Sequence, residues 1–184
     1  MFGRTKFKIR KLVESDAKDA AILYAYVARY DAYFKRVFGK DSVEIEVLRR
    51  FSPDVMNVIK FGDSYGAFIK DKLVGIIFSF NIMDWRNNHI AEYNHVFDND
   101  DNFINSVLDF LHMQNTDISY VFAVGVDEQY RCKGIATSLI KALCNEIGKQ
   151  YTIISDATHQ LAMPMWLSNG FTEELHNGVK LVIK

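Results

Sequence analysis

Arg131, Lys133 and Gly134 stand within Arg131-Cys132-Lys133-Gly134-Ile135-Ala136, four polar-to-aromatic residues after an apolar run, residues 121–126, and at the head of a helix-patterned stretch reaching Ile147. A strand that delivers a small, basic, Gly-containing turn onto a helix start aims several backbone N–H groups at one point. Here they would come from Gly134, Ile135, Ala136 and Thr137, and the helix dipole adds partial positive charge. Such a corner binds anions, and phosphate is its natural guest. The spacing excludes two common owners. A Walker loop needs Gly, four residues, then Gly-Lys and Ser or Thr, and the dinucleotide fingerprint needs three glycines on a two-then-three spacing.

The other reactive side chains assemble into nothing comparable. The chain has two cysteines, Cys132 in the loop and Cys144 in the helix behind it, which offers neither a disulfide framework nor a zinc spacing. Cys132, beside a helix start, is either a thiol of lowered pKa or a solvated loop residue. His89, His95, His112 and His176 lack the paired spacing of a zinc-protease helix, and no Ser occupies a nucleophile elbow. No metal is expected.

To position that loop the chain needs a sheet. Residues 65–80 read as a hairpin, with strands 66–70 and 73–80 about the polar break Asp71-Lys72. The second strand is nearly all apolar, so it belongs in the sheet centre with both faces covered. Upstream, Ser15 or Asp16 caps one helix whose apolar positions Ala20, Leu23, Val27, Tyr30, Phe34 and Phe38 run to a stop at Gly39. Asp41 and Glu44 open a second helix ending near Phe51, with Pro53 beyond it. Tyr24, Tyr26, Tyr30 and Tyr33 make this region aromatic, as core or as the wall of a substrate pocket.

Beyond the hairpin, residues 81–101 are polar. Phe103, Ile104, Val107, Leu108 and Leu111 then repeat at helical spacing behind Asp98, Asp100 and Asp101, carboxylates suited to a helix start. The loop's own helix carries Ile135, Leu139, Ala142, Leu143 and Ile147 on one side and stops at Gly148. A short strand at 152–155, a helix at 160–169 and a closing strand at 179–183 complete the chain. Strands alternating with helices plus a tight hairpin predict a mixed α/β sheet with helices on both faces.

With 184 residues, 49% hydrophobic and 14% aromatic, the chain can bury a substantial core as a single domain spanning 1–184. A net charge of -1 gives no general pull toward nucleic acid or anionic membrane. The N-terminal residues lack a signal peptide's apolar core and no stretch approaches bilayer length, so a cytoplasmic location is expected. The strand Lys180-Leu181-Val182-Ile183 could pair across a homodimer.

The pattern Arg131, two residues, Gly134, one residue, Ala136 resembles the pyrophosphate loop of the GNAT acyltransferase superfamily. The likeness extends to Ile9-Arg10-Lys11-Leu12 with Glu14-Ser15-Asp16-Ala17, and to Lys72-Leu73-Val74-Gly75. It includes the frame Ala162, Trp166, Gly170, Phe171, in which His159 holds the place of a frequent Asn and Trp166 that of a frequent Tyr. This resemblance implies a mostly antiparallel central sheet with splayed strands, and acetyl-CoA as co-substrate held by Arg131, Cys132, Lys133, Gly134, Ile135, Ala136 and Thr137. It assigns Val124 and Val126 as backbone partners of the pantetheine and His159 as a side-chain contact to it; Gly125 would mark a bulge or close approach there, or equally a packing accommodation.

Acyl transfer to an amine requires the amine neutral, the thioester carbonyl polarised and a proton for the departing thiolate. Where some members carry a carboxylate this chain has Tyr120. Glu92, on an expected strand at 90–96, is the candidate base, with a solvated surface role as the alternative. Trp166 has an indole N–H of no useful acidity, so Tyr120, His159 or solvent would protonate the thiolate. The resemblance thus implies an N-acetyltransferase acting on a small-molecule or protein amine; the alternatives are an acyl-CoA-binding sensor without turnover and a nucleotide-binding protein using the same corner.

Overall fold

A computed structural model describes residues 6–81, 117–148, 150–156, 162–176 and 179–184. Among these residues seven strands make one sheet: β1 (Lys8–Lys11), β2 (Tyr65–Ile69), β3 (Lys72–Asn81), β4 (Ile118–Val126), β5 (Thr152–Asp156), β6 (Thr172–His176) and β7 (Val179–Ile183). Their spatial order is β1-β2-β3-β4-β5-β7-β6. Each neighbouring pair is antiparallel except β4 with β5, which is parallel. The expected mixed sheet, mostly antiparallel and covered on both faces, is the one observed.

Helices α1 (Ala17–Ala28) and α3 (Val43–Phe61) cover one face, over Ile76, Phe78, Phe80, Ile118 and Ile154. Helix α4 (Ile135–Ile147) covers the other, over Ile77, Val121, Ile153 and Val182. Two glycines set how closely these helices sit. A Cβ at Gly125 would lie 2.5 Å from Val27 Cγ2 of α1, and one at Gly75 would lie 2.8 Å from Ile135 Cγ2 of α4. Gly125 therefore accommodates α1. The bulge in β4 lies earlier, between the pairs Phe78↔Ala123 and Ser79↔Val121, so that Phe122 is the extra residue.

Several expectations are corrected. The single helix running to Gly39 is broken: α1 ends at Ala28 and α2 (Ala32–Phe38) follows. Tyr30 N–H donates to Val27 O at 3.2 Å, tightening the last turn, and the Asp31 carboxylate accepts the Phe34 N–H at 3.4 Å, a cap that restarts the helix. Asp16 caps a 3-10 turn, accepting Val13 N–H at 2.9 Å, and does not cap α1 itself.

Pro53 lies inside α3, which continues to Phe61. An interior proline costs about 3 kcal/mol, but Pro53 is exposed, so the carbonyl it leaves without a donor meets water, while Phe51, Val55, Val58 and Ile59 are buried and hold the helix down. The hairpin turn falls at Lys70-Asp71, one residue earlier than the expected break, with Lys70 left-handed at φ 54°.

Strand β6 has no apolar alternation in Thr172-Glu173-Glu174-Leu175-His176, since it is an exposed edge. It also takes the outer position expected of the closing strand: β7 is paired with β5 on one side and β6 on the other. The expected strand at 90–96, the helix from Phe103 to Leu111 and Asp98, Asp100 and Asp101 lie outside the described residues. Among the described residues no helix is long and apolar enough to cross a membrane.

Candidate functional site

The site begins where two strands part. Among the described residues β4 and β5 pair only through Ile118↔Thr152, Ser119↔Ile153 and Tyr120↔Ile154, although β4 continues to Val126. Beyond Tyr120, β4 keeps β3 as its neighbour, and Phe122, Ala123, Val124 and Val126 are only half-buried in what is otherwise the middle of the sheet. Backbone orientation alternates along an antiparallel strand. Asp127 N–H donates to Val74 O on β3 at 2.9 Å, so Gly125 shares its orientation. Val124 and Val126 therefore face the gap that β5 leaves, and the bulge at Phe122 gives them that phase.

The gap leads into the loop between β4 and α4. Asp127 holds its start: the carboxylate accepts the Gln129 N–H at 3.1 Å and the Lys72 ammonium at 3.0 Å, tying the β2–β3 turn to the loop. Burial pushes the Asp127 carboxyl up, but Lys72 and the Gln129 amide prevail and hold it below the ordinary value. A 3-10 turn, Glu128–Tyr130, follows. Arg131 Nε–H then donates to Val126 O at 3.2 Å, on the gap side of the strand, and Lys133 Nζ donates to Gln129 O at 3.0 Å. Both cations thus brace the loop from within while remaining exposed.

Cys132 at φ 58° and Gly134 at φ 80° are both left-handed, the backbone from which concave anion nests are made. No side chain caps α4 at Gly134, and the first intrahelical bond runs from Ser138 N–H to Gly134 O at 3.0 Å. The Ile135, Ala136 and Thr137 amides therefore point out of the helix end. A Cβ built on Gly134 meets no atom of the described residues within 4 Å, so among them the mouth of the corner is open. Glycine is required there by the backbone angle, not by packing within the protein.

One face of the loop is tied to α1. Glu128 Oε2 accepts the Tyr30 hydroxyl at 2.7 Å and the Tyr26 hydroxyl at 3.3 Å, and Arg29 Nη2 donates to Tyr30 Oη at 2.7 Å. The Arg131 guanidinium lies 4.4 Å from the Tyr30 ring centroid. The hydrogen bond from Tyr30 is the main reason the Glu128 carboxyl sits below its usual range. Sequence reasoning does not single out Asp127 or Glu128; the signal available was their place between an apolar strand and a basic turn.

The remaining candidates divide. Tyr120 is 4% exposed and packs edge-to-face on Phe80 at 5.5 Å, in the paired part of β4 on the α1 side. Trp166, in α5 (Met163–Ser168), is 2% exposed and lies 4.8 Å from the Phe171 ring in the α4-side core. Cys132 is exposed, whereas burial pushes the Cys144 thiol up. Glu92 and His159 lie outside the described residues.

The fold is shared with solved acetyltransferases. PaiA N-acetyltransferase from Thermoplasma acidophilum, in complex with coenzyme A, superposes at TM-score 0.62 with 16% identity over 97% of each chain. Agmatine N-acetyltransferase gives 0.70 with 12% identity, covering 97% of this chain and 98% of that one. Arylalkylamine N-acetyltransferase 2 from Aedes aegypti gives 0.67 with 15% identity over 97% and 98%. No curated protein matches the sequence. Residues 52–171 match the family of acetyltransferases designated GNAT, and with well over half its length inside that match the chain belongs to the GNAT acetyltransferase family.

Proposed function

We propose that this protein is an acetyl-CoA-dependent N-acetyltransferase that passes an acetyl group directly to a primary amine of a small molecule or protein, in the cytoplasm. The observation that carries the reading is the order of the site along the chain: the backbone edge at Val124 and Val126 is followed, across the Glu128–Tyr130 turn and the hydrogen bond from Arg131 to Val126 O, by the open corner at Gly134. Those residues suit the co-substrate. The edge offers main-chain groups in the spacing of a strand awaiting a partner, as an extended pantetheine would be. The amides of Ile135, Ala136 and Thr137, with Cys132, Lys133 and Gly134 shaping the nest, suit a diphosphate.

Acetyl-CoA supplies an activated acyl group on a sulfur that leaves readily, since a thiol of pKa near 8.5 is a modest base. The chain has to orient the thioester and polarise its carbonyl. In this reading the N–H groups of β4 in the gap do both, and they need no reorganisation to do so. Arg131 takes the Val126 carbonyl, which removes one acceptor from the edge and leaves it richer in donors. Glu92 is assigned as the base that neutralises the amine, and Tyr120 or His159 as donor to the thiolate.

A coenzyme A complex in a protein of the same fold agrees with this reading. Because neighbours are named for agmatine and arylalkylamines, small amines are the acceptors to try first. Titrating acetyl-CoA should raise the melting temperature, with about 2.7 kcal/mol of stabilisation at a hundred times the dissociation constant. No shift at millimolar acetyl-CoA sinks the proposal. Burial of Trp166 in the core, where it offers no acid, favours a second reading: an acyl-CoA sensor without turnover. Thiol release from acetyl-CoA across an amine panel separates them.

A further inference from the structure

We infer that Ser155, on β5, is a positioning residue whose hydroxyl holds β4 and β5 apart beyond Tyr120 by occupying the carbonyl on which the next rung of the ladder would close. The inference rests on the reading that the resulting gap receives the thioester arm. The parallel ladder opens with Thr152 N–H donating to Asp117 O at 3.0 Å. Alternate residues of a strand face the same neighbour, so the β5 donors after Thr152 are Ile154 and then Asp156, aimed at Ser119 and Val121. Pairing stops at Tyr120↔Ile154, one step short of the pair that a rung from Asp156 N–H to Val121 O would open.

At that point the Ser155 hydroxyl donates to Val121 O at 2.8 Å. The backbone of Ser155 cannot serve β4. Ile153 and Lys184 exchange hydrogen bonds at 2.8 and 2.9 Å, so by the same alternation Ser155 faces its β7 partner Val182 and reaches β4 through its side chain alone. Ser155 is 5% exposed, so water is no substitute donor. A buried carbonyl left without a donor is costly. With the hydroxyl on Val121 O, the strands can diverge without that loss, and the bulge at Phe122 begins on the next residue of β4.

Removing the hydroxyl should reverse this. Val121 O would then recover a donor most simply by closing onto Asp156 N–H, one rung further, which narrows the gap at its root. Ser155→Thr keeps the hydroxyl, whereas Ser155→Val has nearly the same shape without it, and both suit a strand. Two measurements are compared: hydrogen exchange of the Asp156 amide in the free protein, and acetyl-CoA affinity by calorimetry. In Ser155→Val the Asp156 amide should gain at least tenfold in protection and acetyl-CoA should bind at least tenfold more weakly, while Ser155→Thr tracks the wild type.

Equal Asp156 protection in the two variants, or equal affinity where the wild type binds, overturns the inference. If the wild type itself binds no acetyl-CoA, the proposed function falls, while the exchange comparison still decides whether Ser155 holds the strands apart. Ser155→Ala carries the same comparison should the valine prevent folding.

Discussion

At the residue scale the loop separates what the backbone needs from what a ligand needs. Gly134 has φ 80° and open space where a Cβ would point. A larger residue there is therefore strained by about 1–2 kcal/mol in its backbone and its Cβ meets no neighbour among the described residues. For a chain of this length that lowers the melting temperature by about 2–8 °C. Gly134→Trp should thus stay folded by circular dichroism and lose acetyl-CoA binding by calorimetry; retained affinity would show that the corner is not the diphosphate site.

Asp127 makes a different prediction, because its side chain acts within the fold. Its folded pKa is depressed, so its contribution is complete above the unfolded value of about 3.9 and is lost as pH falls from there through the folded value. Asp127→Asn should lower the melting temperature at pH 7 and flatten the acid limb below about pH 4. A variant whose acid limb matches the wild type would remove Asp127 from the ion pair with Lys72. The sequence points to the loop's glycine and basic residues because their types are unusual together. It does not reveal Asp127, Glu128 or Ser155, whose roles depend on partners 55, 98 and 34 residues away.

Among elements, those that pack on two sides were readable and those that obey a local contact were not. β3 is buried along 73–80, and so an uninterrupted apolar run marks it; α4 shows its buried stripe of Ile135, Leu139, Leu143 and Ile147. The break between α1 and α2 depends on one Asp31 cap, and β6 is a polar edge, so neither carries a periodic signal. The closeness of α1 to β4 is likewise set by a single missing side chain. Gly125→Ala should cost about 1–3 kcal/mol by overpacking against Val27. Val27→Ala removes the Cγ atoms that a Cβ at position 125 would meet, so chemical denaturation of the four proteins should show the double variant less destabilised than the sum of the singles. Strict additivity would mean that α1 is not seated on that glycine.

Across the whole molecule the sheet separates two hydrophobic cores, and the gap opens in the sheet between them. This arrangement predicts a graded pattern of hydrogen exchange. β3 and the first half of β4 have neighbours on both sides and a core above and below, so they should open only with global unfolding. Among the described residues the second half of β4 has one strand neighbour and half-buried side chains, and α4 begins without a side-chain cap. In the free protein the Val124, Val126, Ile135, Ala136 and Thr137 amides should therefore exchange much faster than those of Ile76 and Ile77. Saturating acetyl-CoA should slow that fast group together, because a ligand lying along the strand edge and into the corner covers all five at once. Protection confined to the α4 amides would fit a free phosphate or nucleotide in the corner, with no arm along β4. Protection of the β6 edge alone would place the ligand three strands away from β4 and its loop and end the proposed assignment.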